Sequence, residues 1–576
     1  MSKKSLTNGV LIKTEQRSGF DKSFFNALTT GVGTLTPLVK QLVIPNSDGK
    51  CTVRISAQLP PLAADAYIRS HLKLEGFFCP LRLGYGGFES WFCGKEIYIP
   101  ESDTFSRAKL PRLMVPSKYS DYPGSGGQLH IADKAFGQSS LLDYFGAYWK
   151  SNRVFNTNYS VSMETEDPNG NPVTIDFSAV NIFPWLLYGL IYDEYYRNKL
   201  VEKPLFTAPR VKCSGANDWR SNNLGAWALP YISSENIIDV IGASGAFSGF
   251  DSAEQVMYDT LLNGSLTDIR QRNYGDDYFT AATPQPQEGN PITIGTVGNQ
   301  FTISSFRLGA AMQEFAELNN FASPDYIQTL SARYGASLKA GIAQKPILLG
   351  SADFAMYTSG VEQTAQGTNQ SVNNPFDTVG ARYGRAHAEG TDFVCTFNAD
   401  EPGYFFVIAS LVPEAQYFEG IAKDLMLFND EGSLTDLPTG IFEHIGNQGI
   451  SLQELDSSAA DQPFGYVQRY LFHKLGNRNQ VHGLFRKDES LGAFVVQRDT
   501  RGVAGINSTF LKVMPTDLDN VAAVSAGISQ FGVMIDSSIQ LFISEPLTES
   551  AIPCLANPSK EHGRSVYVKT GGSKLA

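Results

Sequence analysis

Alternation is the clearest signal along the chain. Cys51, Val53 and Ile55 alternate with Thr52, Arg54 and Ser56, the two-residue repeat of a strand buried on one face. Phe393, Cys395 and Phe397 repeat it. Val533 and Ile535, then Ile539, Leu541 and Ile543, do the same either side of a polar Asp536-Ser537-Ser538 that reads as a bulge or a turn. The continuous run Tyr404 to Val412, closed by Pro413, predicts a strand covered on both faces. Helical periods are fewer. Leu308, Ala311, Met312, Phe315 and Leu318 recur at three and four, and Leu187, Ile191 and Tyr195 at four, so both segments predict amphipathic helices. A third helix opens with Ser323 as N-cap, Pro324 in the first helical position and Asp325 in the first turn, buries Ile327 and Leu330, and stops by Gly335.

Strands near both ends, with helices inside their connections, predict one antiparallel sandwich interrupted by long insertions, since a sandwich tolerates excursions at its loop ends. Residues 201–267 differ from their flanks in their glycine and serine clusters (IGASGAFSGF) and read as an inserted subdomain. No fixed-period repeat is visible.

Composition narrows the class. Apolar residues at 42%, aromatics at 12% and charged residues at 18% supply large cores and exclude intrinsic disorder. The six cysteines show no CxxC spacing, which argues against zinc and disulfide frameworks. The opening MSKKSLTNGVLIKTEQR has no apolar core of a secretory signal, and no stretch predicts a membrane span, so a cytoplasmic site of synthesis is the expectation.

Catalytic signatures are missing. G-x-S-x-G, G-x-x-x-x-G-K-[ST], G-x-G-x-x-G and H-E-x-x-H do not occur. The seven histidines never lie at ligand spacing, and the nearest pair, His473 and His482, sits in a strand-like region. The adjacent acids Asp193-Glu194 and Asp276-Asp277 read as solvated helix residues or loop caps, because neighbours diverge rather than face one substrate. No cofactor or metal is expected. Carboxylates from distant loops can still converge, so a β-rich glycan-active hydrolase or a glycan-binding module stands as the alternative function.

Charge is unevenly spread. The chain carries −12, yet residues 1–22 carry +3 through Lys3, Lys4, Lys13, Arg17 and Lys22, and residues 558–576 carry +3 through Lys560, Arg564, Lys569 and Lys574. Basic ends on an acidic body either touch a polyanion or only aid solubility. A handful of cations per chain matters to a nucleic acid when many copies are arrayed around it.

Several long segments, in order, resemble the major capsid protein of microviruses, the small icosahedral single-stranded DNA phages, and specifically its gokushovirus branch. LKLEGFFCPLRLGYGGFESWFCG at 72–94 is similar to the family's F-F-x-P-x-R-L strand and loop. SLLDYFG at 140–146 is similar to S-I-x-D-Y-x-G, and FPWLLYGLIYDEYYRN at 183–198 to the aromatic Y-x-x-I-Y-N-E-W-F-R helix, with Asp193 for asparagine and Tyr195-Tyr196 for Trp-Phe. QRNYGDDYFTAATPQPQEG at 271–289 resembles R-x-x-x-x-D-Y-F-T-S-x-x-P-x-P-Q-x-G, and 326–364 a following stretch in which Lys345 replaces arginine. Phe464-Gly465-Tyr466 with RYLFHKLGNRNQVHGLFR resembles a further strand, and QLFISEPLTESAIP the C-terminal one.

The resemblance implies a mainly β chain: an eight-stranded jelly roll with large insertions, assembled as a T=1 shell around circular single-stranded DNA in the virion. Its segments would be an N-terminal arm (1–22), a first part of the roll (23–200), an inserted subdomain (201–267), a second part (268–557) and a C-terminal tail (558–576). The insertion would form a protrusion at the three-fold axis, with Trp219, Trp227 and Phe250 as candidate contacts to a host receptor. Implied partners are further copies of the chain, the DNA, a small basic DNA-binding virion protein and a pilot protein, without membrane insertion. Tyr188, Tyr192, Tyr195, Tyr196 and Arg197 would supply subunit-boundary contact or else plug the sandwich's open end. Lys3, Lys4, Lys13, Arg17, Arg469, Arg478, Arg486, Arg564, Lys569 and Lys574 are the candidate DNA-facing cations, Arg469, Arg478 and Arg486 doing so by stacking or pairing with bases unless they form intersubunit ion pairs.

Overall fold

A computed structural model describes residues 18–84, 88–92, 96–99, 104–107, 112–116, 139–146, 160–166, 172–181, 183–202, 269–286, 307, 312, 345–362, 382–426, 447–475, 479–523 and 532–547. Mainly β, they form antiparallel sheets with few and short helices. The strands are β1 (Ser18–Asp21), β2 (Phe24–Thr30), β3 (Thr36–Val43), β4 (Ser47–Gln58), β5 (Ser70–Pro80), β6 (Glu96–Ile99), β7 (Thr104–Arg107), β8 (Arg112–Pro116), β9 (Ser160–Glu166), β10 (Pro172–Asn181), β11 (Ile347–Ala355), β12 (Tyr357–Glu362), β13 (Arg382–Ala399), β14 (Gly403–Pro413), β15 (Asn447–Ser451), β16 (Pro463–Gln468) and β17 (Val533–Glu545).

Two sheets make the sandwich. One runs β2-β17-β4-β13-β12, with β1 continuing the β2 edge along the far half of β17, and the other runs β3-β14-β5-β11. Their inner faces close the main core. Phe397 of β13 stacks on Phe405 of β14 at 4.7 Å between ring centroids and lies parallel to Phe78 of β5. Strand β4 shows the expected alternation: Cys51, Val53, Ile55 and Ala57 are buried and the residues between them face outward. Strand β14 is buried at every position, as the unbroken apolar run predicts.

The second face of β14 is covered by the excursion between β5 and β11. That excursion contains α1 (Leu81–Gly84), α2 (Phe88–Phe92), α3 (Leu141–Tyr144) and α4 (Phe183–Ile191), the β6-β7 hairpin and the β8-β10-β9 sheet. Phe145 packs against Phe406, Trp185 and Tyr188, so α4 lies over the outer side of the four-stranded sheet. A second excursion, between β14 and β17, carries β15 and β16. The two leave opposite ends of the sandwich, since Pro80 shares its end with Gly403 and Val43, whereas Pro413 sits beside Ser70. They nevertheless meet, through the Asn273–Lys512 and Thr283–Tyr466 bridges.

Five local expectations are corrected. Phe393 does not share the buried face of Cys395 and Phe397: the register shifts between Phe393 and Cys395, and Phe393 is left 46% exposed. Asp536-Ser537-Ser538 is neither bulge nor turn: β17 runs straight through, because Ser537 points inward and satisfies its hydroxyl on the Asn26 carbonyl at 3.0 Å. The helix at Leu187 is not amphipathic; all nine residues of α4 are buried between sheet and excursion. Its period fails before Tyr195, where the helix widens into a π-helical turn over Tyr192–Tyr196. The stretch after Phe464 is not one long strand, and His473 and His482 are not on one: β16 ends at Gln468, Tyr470 turns left-handed at φ +62°, and α5 (Leu471–Lys474) follows. The helices expected over 308–318 and 323–335 lie outside the described residues, apart from Met312, which is helical.

Candidate assembly and nucleic-acid interface

The aromatic helix supplies packing inside the chain. Tyr188, 2% exposed, donates to the Leu35 carbonyl at 2.9 Å and accepts from the Arg270 amide at 3.0 Å. Tyr192 donates to the Glu202 carboxylate, which also holds the Lys512 ammonium at 2.6 Å, and the Arg270 guanidinium lies 5.7 Å from the Tyr192 ring centroid. The chain therefore leaves the described frame at Glu202 and returns by Arg270 around one phenol. Tyr196 donates to Glu75 of β5. Arg197 and Asp193 form a nearly buried pair at 3.3 Å, so Asp193 is not the solvated acid its neighbourhood in sequence suggests. Burial raises the phenol pKa of Tyr188 and Tyr196 well above the ordinary value, and desolvation does the same to Tyr192. Only Tyr195, 37% exposed, with its hydroxyl on the Pro346 carbonyl, keeps a face for a neighbour.

Between the excursions lies a buried cage that sequence reading missed. The Arg498 guanidinium is sandwiched between the rings of Tyr274 and Phe510, each 4.2 Å away, and donates to the Tyr417 hydroxyl and the Phe510 carbonyl. Tyr417 donates to Asp277 and Tyr274 to Asp517, both at 2.6 Å. Asp277 also caps the Phe279 and Thr280 amides, the loop-cap role expected of it. No sequence signal marked Arg498, because its partners are 12 to more than 200 positions away and cages of this kind have no spacing rule.

Of the candidate DNA-facing cations, Arg486 is exposed beside Phe485 and Arg469 lies 5.4 Å from the Tyr470 ring centroid. The structure does not bring them onto one element: Arg469 follows β16 and Arg486 follows a 3-10 turn. Lys3, Lys4, Lys13, Arg17, Arg478, Arg564, Lys569 and Lys574, and the candidate host contacts Trp219, Trp227 and Phe250, lie outside the described residues. Among the described residues no cluster of three or more His, Cys, Asp or Glu side chains could hold a metal, and no helix is long and apolar enough to cross a membrane.

The described residues thus make an antiparallel sandwich with an aromatic core and two excursions bridged to each other. Comparison with known proteins narrows the class of the chain. Residues 297–552 match the family described as "Capsid protein (F protein)". The chain is 20% identical to "Capsid protein VP1" of Chlamydia phage 1 over 595 aligned residues, covering 89% of this chain and 91% of that protein. It is 22% identical to "Capsid protein VP1" of Bdellovibrio phage phiMH2K over 531, covering 86% and 88%. Over most of its length the chain is thus similar, at distant identity, to capsid proteins of small phages, which are structural components of the virion.

Proposed function

We propose that this chain is a capsid protein that forms a T=1 icosahedral shell around a circular single-stranded DNA genome, and that its sandwich is the eight-stranded viral jelly roll. The observation that carries the fold reading is strand order. Taken in chain order, β2, β3, β4, β5, β11, β13, β14 and β17 divide between the sheets so that first, last, third and sixth strands form one sheet and second, seventh, fourth and fifth the other. That interleaving is the order a double Greek key would give, and it supports the jelly-roll reading. Self-association follows from the same architecture: a closed shell needs several heterologous interfaces per chain, and long excursions from both ends of the roll offer them.

Residues 201–267 are the candidate surface protrusion and host contact, with Trp219, Trp227 and Phe250 as its apolar contacts. Support comes from the clamp at its base, where Glu202 and Arg270 converge on Tyr192. Replacing 203–268 with a short linker tests both ideas together. Shells seen by negative-stain microscopy with adsorption to host cells abolished is the expected result; retained adsorption removes the host role, and particles absent from the unmodified chain remove the shell reading. A small basic virion protein and a pilot protein remain the further partners proposed, consistent with an acidic body that repels DNA.

A further inference from the structure

Two free thiols face each other inside the larger sheet. Cys51 of β4 and Cys395 of β13 are direct partners in the antiparallel register, and both side chains lie in the main core, 0% and 1% exposed. They stand about 340 positions apart in the chain, so no local spacing pairs them. Cys79, the other free cysteine among the described residues, belongs to the opposite sheet and sits across from Tyr404.

Directly opposed residues of an antiparallel pair hold their Cβ atoms about 4.5–5.5 Å apart, and a disulfide needs about 3.5–4.5 Å, so closing this one takes a shift of about 1 Å. The register supplies the slack. It slips between Phe393 and Cys395, which releases the β13 backbone at Cys395 from strict ladder spacing. The facing sheet leaves room as well: a Cβ on Gly76 of β5 would stand 2.7 Å from the Cys395 Sγ, and one on Gly350 of β11 would stand 3.3 Å from the Cys395 Cβ. Glycine at both positions keeps side chains off the sulfur, so rotation about χ1 can turn it toward Cys51.

We propose that Cys51 and Cys395 form a latent cross-strand disulfide, closed by hydrogen peroxide. The oxidant is little larger than water and enters a core that opens transiently. One thiol gives up its proton and its sulfur attacks a peroxide oxygen; the O–O bond breaks, leaving a sulfenic acid and one water. The second sulfur then attacks the sulfenic sulfur, the S–O bond breaks, and the departing hydroxide takes the second thiol's proton as another water. Two thiols are thereby oxidised to one disulfide while one peroxide is reduced to two waters. Burial raises both thiols to about 12, which keeps them protonated and makes the first step slow. The bond would tie two inner strands of the six-stranded sheet and enclose the excursion between β5 and β11 in a covalent loop, constraining the unfolded chain.

The test incubates the purified full chain with millimolar hydrogen peroxide for hours to days, blocks the remaining thiols with iodoacetamide in urea, and maps proteolytic peptides by mass without reduction. The expected product joins the Cys51 and Cys395 peptides, lighter by two hydrogens than their sum, and the unfolding midpoint of the treated chain rises by about 5 °C until dithiothreitol reverses it. Cys51→Ala and Cys395→Ala each abolish the link and the gain, the thiol left alone staying reduced or advancing to the sulfinic acid. Recovery of both residues as alkylated or over-oxidised cysteine, a link from either to another cysteine, or a midpoint gain that survives in either variant overturns the proposal. Should a variant fail to fold, the peptide map of the unmodified chain decides alone.

Discussion

Arg272 grips Glu75 through two parallel bonds, Nη1 to Oε2 at 2.7 Å and Nη2 to Oε1 at 3.2 Å, fastening the return of the long excursion to the middle of β5. Both side chains are more than four-fifths buried, and Tyr196 and Ser410 complete the cluster. Removing one partner strands a charge beneath the excursion. Arg272→Ala is therefore expected to cost about 3 kcal/mol, whereas Arg272→Met with Glu75→Leu recovers most of it. Urea unfolding of the three chains checks this; a double variant that loses as much as Arg272→Ala or more would show that the loss does not come from a stranded charge.

Gly49 is held as glycine by its cross-strand neighbour on β13 of the same sheet. A Cβ built there would fall inside the Phe397 ring, which is itself stacked on Phe405 and cannot swing away freely. Gly49→Ala is expected to destabilise by about 2 kcal/mol or more, and Phe397→Leu to relieve part of that in the double variant. Additive losses in the double variant, measured by thermal unfolding, would contradict the contact.

Alkaline stability follows from the buried phenols and thiols. Burial pushes Tyr144 up to about 12, and Cys51 and Cys395, directly opposite each other on β4 and β13, also to about 12. Tyr188, Tyr192, Tyr196, Tyr274 and Tyr417 shift in the same direction. A raised folded pKa gives stability that is complete below the unfolded value, near 9 for the thiols and 10 for the phenols, and lost as pH climbs through the folded one. Unfolding midpoints should hold to about pH 9 and fall steeply by pH 12, with a cooperative phenolate absorbance step coinciding with loss of the sheets. Smooth titration of every tyrosine near pH 10 in an intact fold would refute it.

Arg498 is the joint between the two excursions. Replacing it with Lys keeps a charge but loses the flat stack between Tyr274 and Phe510 and the paired donors, so Lys is expected to rescue little of the roughly 3 kcal/mol that Ala costs. Hydrogen exchange should show faster opening of both 269–286 and 508–518 in either variant; acceleration of one segment alone would mean the cage does not couple them.

The strands were legible where one face is buried, as in β4 and β17, or both, as in β14, because burial writes a period of two or an unbroken apolar run. Helix α4 misled for the opposite reason. It is enclosed on all sides, so its apolar residues carry no amphipathic face, and a π-turn breaks the count before Tyr195. Glu75–Arg272 and the Arg498 cage join residues about 200 positions apart, and only topology brings them together. The facing thiols were hidden likewise: cysteines could be counted, but the Cys51–Cys395 pairing could not be read.

The shell itself is tested most directly by mass photometry of the purified chain across a concentration series. A population at one discrete, very large multiple of 62.9 kDa, appearing cooperatively with concentration and coinciding with closed particles, is the predicted result. A chain that stays at 62.9 kDa at every concentration, in every ionic condition, would contradict the account.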